Sequence, residues 1–261
     1  MRWKEAAVVF GLAVLICGRP ALAEEQLIKL PTRPGVEQPF WLVEPAGAPV
    51  ASVILFAGGE GVLGSSRGTT LFNKNFLVRS RDKFAAQGFL TTVVDVPSDH
   101  ASGLGEFRSS SEHAADIAFV ISYLRHKAPV PVWLVGTSMG TISAANVAAR
   151  LKDGGADGLV LTSSIISPTR RTSSVAGSVD VDKVTIPTLF VHNRDDACPV
   201  CMFSGVPGLM NAFIHVPKRD LIVVAGGDPP QSSPCEALSR HGYIGIEDEV
   251  VSAIARWIKA P

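Results

Sequence analysis

Pro131-Val132-Trp133-Leu134-Val135-Gly136-Thr137-Ser138-Met139-Gly140 decides how the rest of the chain is read. An apolar strand runs straight into a Gly-x-Ser-x-Gly turn, and a helical pattern follows from Met139 to Leu151. Strand, turn and helix in that order are what a nucleophile elbow requires. The serine of such an elbow sits on strained backbone, and flanking glycines relieve the crowding around it. Gly140, Ala144, Ala145, Ala148 and Ala149 are small enough for the helix to pack closely on a sheet. Its N-terminus then directs free N–H groups and positive dipole at the serine. Gly64-Ser65-Ser66-Arg67-Gly68 matches the same pattern but lacks a preceding strand, and Thr69-Thr70 follows it, so no elbow is expected there.

Outward from this stretch, apolar strands alternate with helices. Strands are expected at Phe40–Val43, Ala51–Ala57, Leu90–Val96, Val130–Gly136, Leu159–Ser163, Thr188–His192 and Leu221–Ala225. Helices are expected at 76–87, stopping at Gly88, at 111–127 with Ser111 as cap, and at 246–259. Continuous apolar strands separated by helices indicate an α/β fold with a mostly parallel sheet covered on both faces. Such a sheet gathers its functional loops at the carboxyl ends of the strands. The Ser/Thr-rich stretch 163–185 reads as a mobile connection, too short for a large lid domain. No repeat or low-complexity run interrupts the pattern.

The 261 residues carry no net charge, with 24 basic and 24 acidic side chains, so nothing suggests a nucleic-acid partner or a polyanion held by charge. With 46% hydrophobic residues the chain can bury a large core. Arg2 and Lys4, the apolar run Ala6 to Cys17 and Ala21-Leu22-Ala23 form a signal-peptide pattern over residues 1–23. The run is too short to span a membrane, and Ile16 is a poor neighbour for a lipidated Cys17. The mature chain is expected to begin at Glu24 in an exported, periplasmic or extracellular protein. Residues 24–39, rich in proline and polar groups, read as an extended lead-in to a single domain over 40–261. Export leaves Cys198, Cys201 and Cys235, of which two are expected to pair. Cys198 or Cys201 bonded to Cys235 would tie the segment after the strand at 188–192 to the segment before His241.

A serine hydroxyl needs a base to take its proton and a third group to orient that base. After an elbow of this kind, acid and then histidine follow in chain order. Asp195-Asp196 stands just beyond the strand ending at His192. Of the histidines beyond it, His215 precedes the last strand, whereas His241 follows that strand and precedes the final helix. Two backbone N–H groups are needed for a developing oxyanion. Met139, directly after the serine, and Gly59, after the strand ending at Ala57, are the candidates.

With GTSMG, HNRDD and SRHG in these positions, the chain resembles the α/β-hydrolase superfamily over almost its whole length from Phe40. Within it the chain resembles exported serine hydrolases of the dienelactone-hydrolase and esterase-like type, which carry Asp-Asp-x-Cys and a later Cys before His-Gly. The resemblance implies a serine esterase-like activity on a small acyl substrate, with Ser138, Asp196 and His241 as triad and no cofactor or metal. It favours Asp196 over Asp195, because the offset from His192 matches the superfamily's His-Gly-x-x-Asp spacing, although Asn193 replaces the glycine. It also implies a Cys198–Cys235 bridge. The cleaved bond, whether ester, thioester, lactone or amide, is left open.

Three rival motifs are weaker. Gly59-Glu60-Gly61-Val62-Leu63-Gly64 matches a dinucleotide fingerprint, but no helix is expected to open after it, and Asp95 lies too far on. Cys198-Pro199-Val200-Cys201 matches a redox pair but follows a late strand, and it lacks a clear fourth ligand for zinc. Asp99-His100 follows another strand, and no role attaches to it. A non-catalytic exported binding protein on the same fold, and a thiol oxidoreductase using Cys198 and Cys201, are the alternative functions.

Overall fold

The computed structural model describes residues 25–260, apart from 67, 69, 70, 72, 153 and 169–172. The expected signal peptide, residues 1–23, therefore lies outside the described residues, as does Glu24. Eight strands form one sheet: β1 (Glu25–Arg33), β2 (Val36–Val43), β3 (Ala51–Phe56), β4 (Phe89–Val94), β5 (Val132–Thr137), β6 (Gly158–Thr162), β7 (Thr188–Asn193) and β8 (Arg219–Val224). They lie in the order β1-β2-β4-β3-β5-β6-β7-β8. β2 pairs antiparallel with β1 and with β4, and every later neighbour is parallel.

Among the described residues, seven helices accompany the sheet: α1 (Phe76–Arg79), α2 (Arg81–Ala86), α3 (Ser111–Lys127), α4 (Gly140–Arg150), α5 (Val175–Ser178), α6 (Val206–Ala212) and α7 (Glu247–Lys259). The strands of the centre are buried on both faces, which explains why their sequences do not alternate with polar residues. Ile54, Phe56, Leu134 and Leu161 face α3 to α6 in one core. Their sequence neighbours Val53, Leu55, Val135 and Val160 face α1, α2 and α7 in the other. The expected α/β class, with a mostly parallel sheet and helices on both faces, is what the chain adopts.

Three local expectations are corrected. Within the expected lead-in 24–39, residues 25–39 do not merely lead in: β1 pairs with β2 along its whole length, and this hairpin joins the sheet. Prolines 31, 34 and 39 obscured it, but Pro34-Gly35 makes the two-residue turn, with Gly35 at φ 74°, and a register shift accommodates Pro31. The helix expected over 76–87 is broken at Ser80. The Ser80 N–H closes α1 on the Phe76 carbonyl, while its own carbonyl opens α2 by accepting from Lys83 and Phe84. The cap of α3 is Ser110 rather than Ser111, because Ser110 has extended backbone and its Oγ accepts from the His113 N–H. The described residues of 163–185 include α5 and a 3-10 turn at Val181–Lys183. Among the described residues, no helix is long and apolar enough to cross a membrane.

Candidate active site

The loops leaving the carboxyl ends of the parallel strands meet at a cavity of about 650 Å³, whose lining includes Gly58, Gly59, Asn75, Ser138, Gln231 and His241. Ser138 is the turn between β5 and α4 and holds φ at 52°, a left-handed backbone unusual for a residue with a side chain. Its carbonyl accepts from the Thr141 N–H and hydroxyl, and its N–H donates across to the Thr162 carbonyl on β6. A Cβ at Gly136 would lie 2.5 Å from the Gly140 carbonyl oxygen, and one at Gly140 would collide with the Phe56 carbonyl of β3. Both glycines are therefore required by close approach. α4 is buried from Gly140 through Ala149, and its small side chains let it come that near the sheet.

Across from the elbow, Ala57-Gly58-Gly59 leaves β3. Arg108, 1% exposed, donates to the carbonyls of Ala57 and Gly59 and to Ser143 Oγ on α4. One guanidinium thus fixes the β3 loop against the helix that follows Ser138. Burial lowers its pKa to about 10, still far above neutrality. Gly59 has φ 59° and open space where a Cβ would sit, and Met139 occupies the cap position of α4.

The opposite wall comes from the loops after β7 and β8. His241 Nδ1 stands 2.8 Å from Asp196 Oδ2, with both side chains almost wholly buried. Asp196 Oδ1 accepts from the Cys198 N–H. Asn193, which replaces the expected glycine, builds the turn that carries Asp196. Its Oδ1 accepts from Asp195 N–H, its Nδ2 donates to the Gly226 carbonyl, and its own carbonyl accepts from Asp196 N–H. Asp195 is directed elsewhere and accepts from the Gly226 N–H. His192 lies behind the pair, 3.6 Å from Asp196 Oδ2 and 2.6 Å from the Cys201 carbonyl. Its burial lowers its pKa.

Several supports of His241 left little trace in the sequence. The Ser163 hydroxyl donates to the His241 carbonyl, the Ser163 N–H donates to the Tyr243 hydroxyl, and that hydroxyl donates to the Val191 carbonyl. Ser163 (φ 42°) and Tyr243 (φ 58°) are, with Ser138, the non-glycine residues at positive φ among those described. All three stand around this site, where strain is held by surrounding bonds. Gly242 is required because a Cβ there would collide with the Ala237 carbonyl. Arg79 of α1 donates to the carbonyls of Lys74, Ala237 and Gly242 and pairs with Glu247, linking the two rims of the cavity. A buried arginine or tyrosine far along the chain offers no local pattern from which these roles could be read.

Cys198 and Cys235 form a disulfide. It joins the Asp196 turn to the segment before His241. Cys201 is free and buried. Burial, then the Asp196 charge, pushes its thiol above the ordinary range. His241 Nε2 is buried with no hydrogen-bond partner. The Ser138–His241 hydrogen bond is therefore not made in this arrangement.

The rival motifs resolve differently. The Cys198–Cys201 bond that a thiol oxidoreductase needs is not formed, and Cys201 is not accessible. Cys198, Cys201 and His241 cluster within 4.8 Å, but a disulfide sulfur has no thiolate to offer a metal. Residues 59–64 fold as a loop around buried Asp95, whose carboxylate accepts from the N–H groups of Leu63 and Ser65. His215 is exposed and bonds to the Asp182 carbonyl. Asp99 pairs with Arg33, and His100 stacks on Phe107.

No family model matches the sequence, and no curated protein matches it. Solved structures do match over nearly the whole chain. A cold-adapted esterase from an Arctic intertidal metagenomic library is 17% identical with a TM-score of 0.60, covering 92% of this chain and 96% of that one. An alpha-beta serine hydrolase homologue from Coxiella burnetii is 17% identical with a TM-score of 0.60, covering 88% and 95%. Dienelactone hydrolase from Anabaena variabilis is 16% identical with a TM-score of 0.61, covering 91% and 98%. The chain has the α/β-hydrolase fold.

Proposed function

We propose that the protein is a serine hydrolase that cleaves a small ester-like substrate through an acyl-enzyme on Ser138. The observation that carries this reading is the buried Asp196–His241 pair, 2.8 Å apart, sharing a cavity with a serine on a left-handed elbow. In the proposed cycle Ser138 Oγ bonds to the substrate carbonyl carbon as His241 Nε2 accepts its proton. Asp196 holds the ring through Nδ1 and stabilises the imidazolium. The N–H groups of Met139 and Gly59 receive the oxyanion. Collapse breaks the bond to the leaving alcohol, which takes the proton from His241. Water then repeats the sequence and releases the acid.

Names of the structural neighbours, esterases and hydrolases among them, support the same class of reaction. The pattern at residues 1–23 and a disulfide beside the site support export to an oxidising compartment. The unmade Ser138–His241 bond favours a second reading, a binding protein that keeps the fold without turnover. Labelling with a fluorophosphonate probe separates the two. The oxidised wild type is expected to label and Ser138→Ala to stay unlabelled. A folded wild type that takes no label sinks the hydrolase reading, and a labelled Ser138→Ala moves the nucleophile elsewhere.

A further inference from the structure

Gly58 lies between the nucleophile and a side chain that the proposed cycle does not use. A Cβ there would meet Ser138 Cβ at 2.9 Å, the Thr137 carbonyl oxygen at 3.2 Å and Asn75 Nδ2 at 3.3 Å. The Asn75 amide nitrogen therefore stands beside Ser138 and against the loop expected to supply a backbone oxyanion donor. Asn75 also lines the cavity with Ser138 and His241.

The amide is held in one orientation. Asn75 Oδ1 accepts from the Leu77 N–H at 3.1 Å, capping α1, and this leaves Nδ2 as the end nearest the elbow. The Asn75 N–H is fixed in turn by Asn73 Oδ1 at 2.8 Å. Arg79 binds the carbonyl of Lys74 on one side and of Gly242 on the other, so the Asn75 segment and His241 are held in common. A cap alone is served as well by aspartate or serine. Asparagine adds a neutral donor that points the other way and does not titrate.

We infer that the Asn75 side-chain amide is a third oxyanion donor, acting beside the N–H groups of Met139 and Gly59 on the tetrahedral intermediate formed at Ser138. The inference rests on the hydrolase reading. A donor that engages only the oxyanion raises kcat with little change in KM.

The test compares wild type with Asn75→Ser and Asn75→Asp, each of which keeps a capping oxygen and removes the donor. p-Nitrophenyl acetate reports turnover, phenylboronic acid reports affinity for a tetrahedral adduct, and thermal unfolding reports the fold. Asn75→Ser is expected to melt with the wild type and to lose kcat on the order of 100-fold, the usual cost of one oxyanion donor. KM should change little, and boronate affinity should fall along with kcat. Asn75→Asp carries the same expectation should the serine variant not fold. A folded variant with wild-type kcat overturns the inference, as does a loss of kcat with boronate affinity unchanged. If neither variant folds, the amide is structural and the inference also falls. A wild type inert to fluorophosphonate removes the hydrolase reading first, which distinguishes that failure from this one.

Discussion

The two walls of the cavity are built in different ways. The wall with Ser138 is made of regular structure: β3, β5 and α4 meet so closely that Gly136 and Gly140 leave no room for a side chain. The wall with His241 is a long segment after β8 whose regular structure before α7 is a 3-10 turn at Arg240–Gly242. It is held by single ties: one disulfide, the Tyr243 hydroxyl, the Ser163 hydroxyl and the Arg79 guanidinium. Backbone packing fixes Ser138, while a handful of side chains fixes His241. The first wall should fail all at once when damaged, and the second should loosen tie by tie.

Gly140→Ala tests the first wall most severely. With no space at the Phe56 carbonyl, it should destabilise the protein by more than about 4 kcal/mol and leave little folded material, as read by circular dichroism and soluble yield. A folded Gly140→Ala protein with wild-type melting would show the contact to be yielding. Next comes the tie of the second wall. Removing the bridge with Cys198→Ala/Cys235→Ala frees a 37-residue separation, which chain entropy values at about 3–4 kcal/mol. Denaturant unfolding should show that loss, and, on the proposed hydrolase reading, turnover should fall by more in proportion than it does for a distant destabilising change.

Tyr243→Phe is milder. It removes the hydroxyl donor to the Val191 carbonyl, which still accepts from the Ser163 N–H, at a cost of about 1 kcal/mol. Activity should fall while Ser138 still takes a fluorophosphonate label, because the elbow does not depend on that hydroxyl. The smallest effect concerns His113, which packs against Phe56 and Phe107 near Arg108. Burial first, and then the Arg108 charge, pushes its pKa down to about 3 from an ordinary 6.5. The unfolded chain therefore binds a proton below pH 6.5 that the folded chain refuses, and stability falls as pH falls. Between pH 7 and 5.5 the loss should be about 1 kcal/mol, and His113→Phe should flatten that part of the stability profile. An unchanged slope in the variant would assign the acid sensitivity to other groups.

This difference in construction also decides what was readable. The elbow is local: ten consecutive residues carry strand, turn and helix, so the sequence stretch 131–140 announces its own geometry. The core strands were readable for the same reason, as unbroken apolar runs. The hairpin of β1 and β2 was obscured because its prolines argue against strands and its partial exposure weakens the apolar signal. Asp196 and His241 could be ranked by chain order, but Asp196 is preferred to Asp195 only through the resemblance's spacing from His192, with Asn193 in place of the glycine. The turn built by the Asn193 side chain distinguishes the two in three dimensions. Arg79, Arg108, Ser163 and Tyr243 act across long separations, where no periodicity or spacing marks them.

The order in which the cysteines are synthesised gives the bridge a history. Cys201 leaves the ribosome long before Cys235, so it is the first thiol that Cys198 can meet, and in the finished fold their sulfurs still lie within 4.8 Å. A bond between those two would close a tight loop and strand the later cysteine. Recovery would require a thiol to reopen it and pass the sulfur on to Cys235. Maturation would then depend on an isomerising agent as well as an oxidant, and removing Cys201 would let the native bridge form by oxidation alone.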